Sequence, residues 1–224
     1  MPRHVRGFDT QAAFDYLSQR DRKLGAWMKR LGPIEPQPTW RKPFDPVDAL
    51  ARAILYQQLS GKAAATIVGR VEVAIGGTRL HFDTLGRIED PILRACGVSG
   101  NKTLALRDLA ARELAGEIPS LRQMSTMHQD DIVAALVPVR GIGRWTVEMM
   151  LMFRLGRPDV LPIDDLGIRK GAQRVDKLEE MPTPKELLAR GERWGPYRTY
   201  ASQYLWRIAD LAAAAKTPTK RSQG

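Results

Sequence analysis

Two carboxylates stand side by side at Asp164 and Asp165, between Pro162-Ile163 and Leu166-Gly167. The pattern reads as the opening of a helix, with Asp164 at the N-cap and Asp165 in the first turn. Aspartates so placed usually do no more than cap the helix and answer its dipole. The same location also favours an ionised carboxylate in a partly dry setting. An ionised carboxylate is what stabilises a sugar acquiring oxocarbenium character as a glycosidic bond breaks. The two residues alone leave both uses open.

A second arrangement with chemical capacity is Val139-Arg-Gly-Ile-Gly-Arg-Trp-Thr146. Gly141 and Gly143 flank one apolar residue, Ile142, which can plug the space between two helices. Glycines there let the backbone reach positive φ and approach a ligand closely. The N–H groups at the start of the following helix make a site for an anion. Such a turn also serves as a plain helical hairpin. Arg140 and Arg144 on either side shift the reading toward a sequence-independent grip on phosphate.

Other chemistry finds little support. Cys96 is the only cysteine, so an intrachain disulfide, a cysteine-based zinc site and an iron–sulfur cluster are excluded. His4, His81 and His128 are scattered without an i, i+4 partner, which suggests no zinc site. No GxxxxGK[ST] phosphate loop occurs. The opening MPRHVRGFDTQ lacks the apolar stretch of a secretory signal, and no window approaches the ~18 apolar residues of a membrane span.

Charge points to a polyanionic partner. The 224 residues carry 35 Lys and Arg against 25 Asp and Glu, a net charge of +10. The excess concentrates at the C-terminal end, where residues 140–224 hold sixteen basic and ten acidic side chains. Phosphate contacts are therefore sought there first.

The elements that must position these groups read as helices nearly throughout, because apolar residues recur at 3.6 spacing and no sustained alternation appears. Residues 10–31 form one or two helices, broken near Asp21. Five prolines make 33–46 an extended connector. Asp45-Pro46 starts a helix whose buried stripe is Val47, Leu50, Ile54, Leu55 and Leu59. Ser60 caps the next, which runs to Ile75 and stops at Gly76-Gly77. Shorter helices cover 90–95, 101–115 and 128–137. In the last helix, from about Pro196, Tyr197, Tyr200, Tyr204 and Ile208 share one side, whereas Trp206 falls on the side of Ser202, Ala209 and Ala213. Gln57 and Gln58 lie just past the apolar stripe of their helix and are expected to be exposed, since buried amides would need partners. The expected architecture is all-α, with two helical lobes and a central cleft. Lobe one covers about 46–156, lobe two about 1–45 plus 157–215, and 216–224 is a disordered basic tail.

Four stretches in order carry a resemblance to a known family: Arg52-Ala-Ile-Leu-Tyr-Gln-Gln-Leu-Ser60, Val139–Thr146, Leu161-Pro-Ile-Asp-Asp-Leu-Gly167 and Arg193-Trp-Gly-Pro-Tyr-Arg-Thr-Tyr200. The chain from Asp45 to Leu211 resembles the helix–hairpin–helix, Gly/Pro-rich, aspartate superfamily of DNA glycosylases. Within it, the chain is similar to the alkylation-repair branch, DNA-3-methyladenine glycosylase II, in a compact form. The 44 residues before Asp45 are too few for the extra β-containing domain of larger members. Bifunctional members place a lysine one residue after the Arg144 position, where this chain has Trp145.

The resemblance implies a set of roles. Asp165, as second of its pair, would be the catalytic carboxylate, with Asp164 the helix cap. Trp206 matches the base-stacking tryptophan; Trp145 and Met149 would complete the pocket, Met149 replacing a tyrosine of the best-known member. Electron-rich rings suit alkylated purines, which carry positive charge. Gln58 occupies the wedge position, beside Gln57. Arg140, Gly141, Ile142, Gly143, Arg144 and Thr146 would contact DNA. The implied activity is monofunctional excision of alkylated purines from double-stranded DNA, leaving an abasic site and cutting no strand. No cofactor is expected beyond a structural monovalent ion at the hairpin. A monomer is expected, cytoplasmic and nucleoid-associated in a bacterium or nuclear in a eukaryote, with no membrane partner. The alternatives are a non-catalytic DNA-binding scaffold and a glycosylase for deaminated or oxidised bases.

Overall fold

A computed structural model of the chain describes residues 4–216, and all regular structure among them is helical. Helices α1 (Thr10–Arg20) and α2 (Arg22–Leu31) meet at Asp21, whose Oδ1 accepts from the main-chain N–H groups of Lys23 and Leu24 at 3.1 Å. The proline-rich connector follows, interrupted by a 3-10 turn at Pro38–Arg41. Asp45 caps α3 (Pro46–Tyr56), accepting from Val47 N at 3.0 Å. This helix stops three residues before Leu59 because Gln57 leaves helical geometry at ψ 135 and Gln58 then enters the left-handed region at φ 57. Leu59 is consequently exposed and does not continue the buried stripe.

Ser60 caps α4 (Gly61–Ile75), and Gly76 ends it at φ 69, as its sequence signals require. There follow α5 (Phe82–Leu85), α6 (Asp90–Ala95), α7 (Gly100–Leu114), α8 (Leu121–Met124), α9 (Gln129–Leu136) and α10 (Arg144–Phe153). At four residues each, α5 and α8 are too short to display a helical period. The chain finishes with α11 (Leu166–Asp176), α12 (Pro184–Gly191), a 3-10 turn at Glu192–Trp194 and α13 (Arg198–Lys216). Lys216 thus belongs to a helix, and the expected tail from 217 onward lies outside the described residues.

The chain divides into two units, one comprising His4 with Lys42–Val147, the other Val5–Arg41 with the chain from Glu148 onward. The division falls inside α10 rather than near 156. The later turns of that helix are tied to the N-terminal segment: Trp40 Nε1 donates to Met152 O at 2.9 Å and Arg6 Nε to Arg154 O at 2.8 Å.

In the first unit α3 packs on α4 and α7, and α7 also receives α5 and α6. Leu50, Ile54, Leu55, Val68, Leu106 and Leu109 are buried there. In the second, α13 lies along α11 and both touch α2. Tyr200, Tyr204 and Ile208, the aromatic side of α13, are fully buried in one cluster with Leu17, Leu24, Met28 and Trp194. Burial of each large side chain contributes about 1.5–3 kcal/mol. Both tyrosine hydroxyls are satisfied: Tyr204 donates to Gly32 O at 2.7 Å and Tyr200 to Ile34 O at 3.1 Å.

Candidate active site and nucleic-acid interface

In the second unit, a turn closed by Asp165 N donating to Pro162 O at 3.1 Å delivers the chain to α11. The turn uses up Asp164, which is exposed, so the helix starts one residue later than its sequence suggests. Asp165, not Asp164, is the N-cap: its Oδ1 accepts from Ile168 N at 2.8 Å. The same oxygen accepts from the indole Nε1 of Trp206 at 2.8 Å. The carboxylate is half-buried and the indole half-buried beside it. Phe153, at the end of α10, stacks on the Trp206 ring with centroids 6.0 Å apart and planes at 24°.

This arrangement depends on how α11 meets α13. Gly167 and Gly171 are four residues apart on one face of α11. A Cβ at Gly171 would lie 2.1 Å from Leu205 O, and one at Gly167 would lie 2.8 Å from Trp206 Cδ1 and 3.1 Å from Asp165 Oδ1. Two missing side chains therefore bring the helices together closely enough for the indole to reach the cap. Ahead of α11, Thr199 ties the preceding loop to α13, donating from N to Pro158 O at 2.9 Å and accepting at Oγ1 from Val160 N at 3.0 Å.

In the first unit, α9 ends at Leu136 and the chain turns through 137–143 into α10. Gly141 has φ 80, whereas Gly143 does not adopt positive φ. The two glycines thus do different work. Gly141 makes the turn; a Cβ at Gly143 would meet no atom within 4 Å, so that position is open for a ligand to approach the backbone. Ile142 is 3% exposed, the plug its apolar character suggests. Thr146 N and Val147 N donate to Gly143 O at 3.0 and 3.3 Å, which places Gly143 at the mouth of α10. The turn is braced at Arg140, whose N donates to Asp108 Oδ2 at 2.7 Å, while Asp108 pairs with Arg112 at 3.0 Å. The Arg140 and Arg144 residues are exposed, and the Arg144 guanidinium lies 3.8 Å from Asp130. Thr146 is half-buried.

Two turns of this unit and the first turn of α7 converge on a recess of about 340 Å³ lined by Gln57, Gln58, Asn101, Lys102, Arg140 and Gly141. Gln57 is half-buried, with Nε2 donating to Gly141 O at 2.7 Å. Lys102 Nζ donates to Leu55 O at 2.7 Å and Gln57 O at 2.8 Å, and burial pushes this amine below its ordinary pKa. Gln58 is exposed, as expected, and its left-handed backbone aims it out of the helix line. Trp145, 51% exposed, sits on the first turn of α10, and Met149 lies half-buried one turn later. Met152, on the same helical face, is fully buried.

The structure therefore joins Asp165 to Trp206 in one unit, and Gln57 and Gln58 to the Arg140–Gly141 turn in the other. Phe153, Gly167, Lys102 and Asp108 escaped sequence reasoning. Only the Gly167-x-x-x-Gly171 spacing gave a readable signal, as a close helix contact.

Residues 51–196 match the model of the HhH-GPD superfamily base excision DNA repair proteins. The chain belongs to that superfamily. It is 36% identical over 205 residues to DNA-3-methyladenine glycosylase 1 of Schizosaccharomyces pombe, covering 90% of this chain and 88% of that protein. It is similar in structure to a DNA-3-methyladenine glycosidase of Bacillus halodurans, with a TM-score of 0.79 at 35% identity and 89% of each chain covered. It is likewise similar to a Schizosaccharomyces pombe 3-methyladenine DNA glycosylase solved in complex with abasic DNA, with a TM-score of 0.76 at 34% identity over 90% of this chain and 98% of that one. The hairpin at 137–143 and the α11 cap both fall inside the superfamily match.

Proposed function

We propose that the protein is a monofunctional DNA N-glycosylase that extrudes and excises alkylated purines of the 3-methyladenine and 7-methylguanine type from double-stranded DNA, leaving an abasic site. The observation that carries this reading is the Asp165 carboxylate, held at the tip of α11 by the Trp206 indole, in a chain of this superfamily.

The open backbone at Gly143 and the start of α10 accept a phosphate, and Arg140 and Arg144 add charge without reading sequence. Gln58 enters the base stack where the damaged nucleotide leaves, and its amide can pair with the orphaned base. The extruded purine takes a ring face at Trp206; Trp145 and Met149 are further candidates for recognising the base. Asp165 stabilises the sugar cation as the N-glycosyl bond breaks and helps orient the attacking water. An alkylated purine leaves as a neutral base, so no strong general acid is needed. With Trp145 at the position of the bifunctional lysine, no Schiff base forms and the strand stays intact. A structural monovalent ion at the hairpin would rest on main-chain oxygens, since no cluster of ligating side chains occurs among the described residues. No helix among those residues is long and apolar enough to cross a membrane. A location with the genome, nucleoid or nucleus, fits this work.

Methylated duplex DNA incubated with the protein is expected to release free 3-methyladenine and 7-methylguanine, with strand breaks appearing only after alkali. Binding without base release would favour a scaffold; breaks without alkali would contradict the monofunctional assignment.

A further inference from the structure

A base-stacking tryptophan needs a ring face. The Trp206 side chain offers more than that, because its N–H edge is committed to Asp165 Oδ1 at 2.8 Å. The cap bond from Ile168 N reaches the same oxygen, also at 2.8 Å. A terminal carboxylate torsion is soft, and a single donor leaves the group able to swing about that one bond. A second donor from a different helix, arriving on the same oxygen, sets the carboxylate plane. The indole is itself held: Phe153 covers part of its face, and the neighbouring Leu205 main chain abuts Gly171. At Gly167 the space where a side chain would stand is filled by the bond itself, since a Cβ there would press on Trp206 Cδ1 at 2.8 Å, on Asp165 Oδ1 at 3.1 Å and on Trp206 Nε1 at 3.2 Å.

We infer that the indole N–H of Trp206 and the bare backbone of Gly167 are positioning elements that fix the Asp165 carboxylate for glycosyl-bond cleavage, separately from any stacking of Trp206 on a base. The inference rests on Asp165 being the reacting carboxylate. The two contributions are separable in kinetics. Stacking acts on ground-state and transition-state complexes alike and shows in affinity, whereas carboxylate orientation acts on the chemical step alone.

The test measures the single-turnover rate constant for 7-methylguanine release and the Kd for a duplex carrying the uncleavable 2′-fluoro analogue of 7-methyl-2′-deoxyguanosine, which keeps the base that would stack. Trp206→Phe, which keeps a ring and loses the donor, is expected to slow release about tenfold with Kd changed by less than about twofold. Gly167→Ala retains every functional group and is expected to show the same signature. The double variant should be no slower than the slower single one, because both remove the same bond. Substituting Trp206 with β-(3-benzothienyl)alanine, which keeps the shape and replaces N–H with sulfur, guards against a folding defect and should match Trp206→Phe. Wild-type rates in the benzothienyl and Gly167→Ala proteins, or losses confined to Kd, would overturn the inference. Asp165→Asn, run alongside, separates the two levels: full activity there would remove the underlying assignment of Asp165 instead.

Discussion

The two units shape their working surfaces from different atoms. Around the recess of the first, side-chain donors grip main-chain oxygens, Gln57 holding Gly141 O and Lys102 holding Leu55 O and Gln57 O, while Asp108 braces the turn from Arg140 N. In the second, side-chain donors converge on carboxylates. Trp206 holds Asp165, Trp194 Nε1 donates to Asp21 Oδ2 at 2.8 Å, and Arg190 pairs with both Asp21 and Asp176, the latter at 2.7 Å. A surface of backbone turns presents fixed dipoles and suits contact with phosphate whatever the sequence. A set of ordered carboxylates places negative charge at chosen points, which suits stabilising a cation but binds the fold of that unit to ionisation. Grip and chemistry should therefore fail independently.

The largest effect expected is on the chemistry. Asp165→Asn removes the charge but keeps an oxygen for the cap, and the single-turnover rate should fall by at least about a hundredfold. Affinity for abasic duplex, measured by fluorescence anisotropy, should stay within about twofold.

Next comes the stability of the second unit. Asp21 is only 3% exposed. Burial alone would raise the Asp21 and Asp176 carboxyls, but their bonds to Arg190, with Trp194 at Asp21 and Lys23 at Asp176, hold both below the usual value of 3.8. Groups lowered in the folded state contribute stability that is present above 3.8 and is lost as pH falls through their folded values. Arg190→Met leaves two carboxylates without their main partner and should cost about 3 kcal/mol at neutral pH. The variant should lose less further stability on acidification than the wild type, a difference that urea unfolding followed by tryptophan fluorescence resolves. An equal acid response in both would detach the cluster from the acid limb.

The smallest effect falls on the grip. A Cβ at Gly143 meets no atom within 4 Å, so Gly143→Val should leave Tm nearly unchanged, yet the branched side chain occupies the space left for phosphate. Binding of duplex DNA should weaken about tenfold. Unchanged affinity would move the phosphate contact elsewhere.

The same contrast explains what the sequence disclosed. Features of the first unit that a few consecutive residues determine were legible: the Asp45 and Ser60 caps, the Gly76 stop, the hairpin turn with Ile142 as its plug. Where local signals competed, the reading slipped. Gln58 left the helix and took Leu59 off the stripe, and the turn at Pro162 shifted the α11 cap from Asp164 to Asp165. What no local pattern contains is the partner of a side chain brought in from another helix. Trp206 lay off the apolar side of α13, which flagged it as unusual, but its bond to Asp165 spans 41 positions and depends on two glycines of α11 allowing close approach. Nothing in the sequence singles out Lys102 or Asp108, because the turns they brace come beside them only in the fold.

The independence of grip and chemistry can be examined in one comparison: single-turnover base release at saturating protein for Asp165→Asn and Gly143→Val against the wild type. The expected result is a normal rate for the glycine variant once the substrate is fully bound, and almost no release by the asparagine variant at the same occupancy. A rate near wild type for Asp165→Asn, with Gly143→Val slow even at saturation, would place the chemistry at the hairpin and contradict the account.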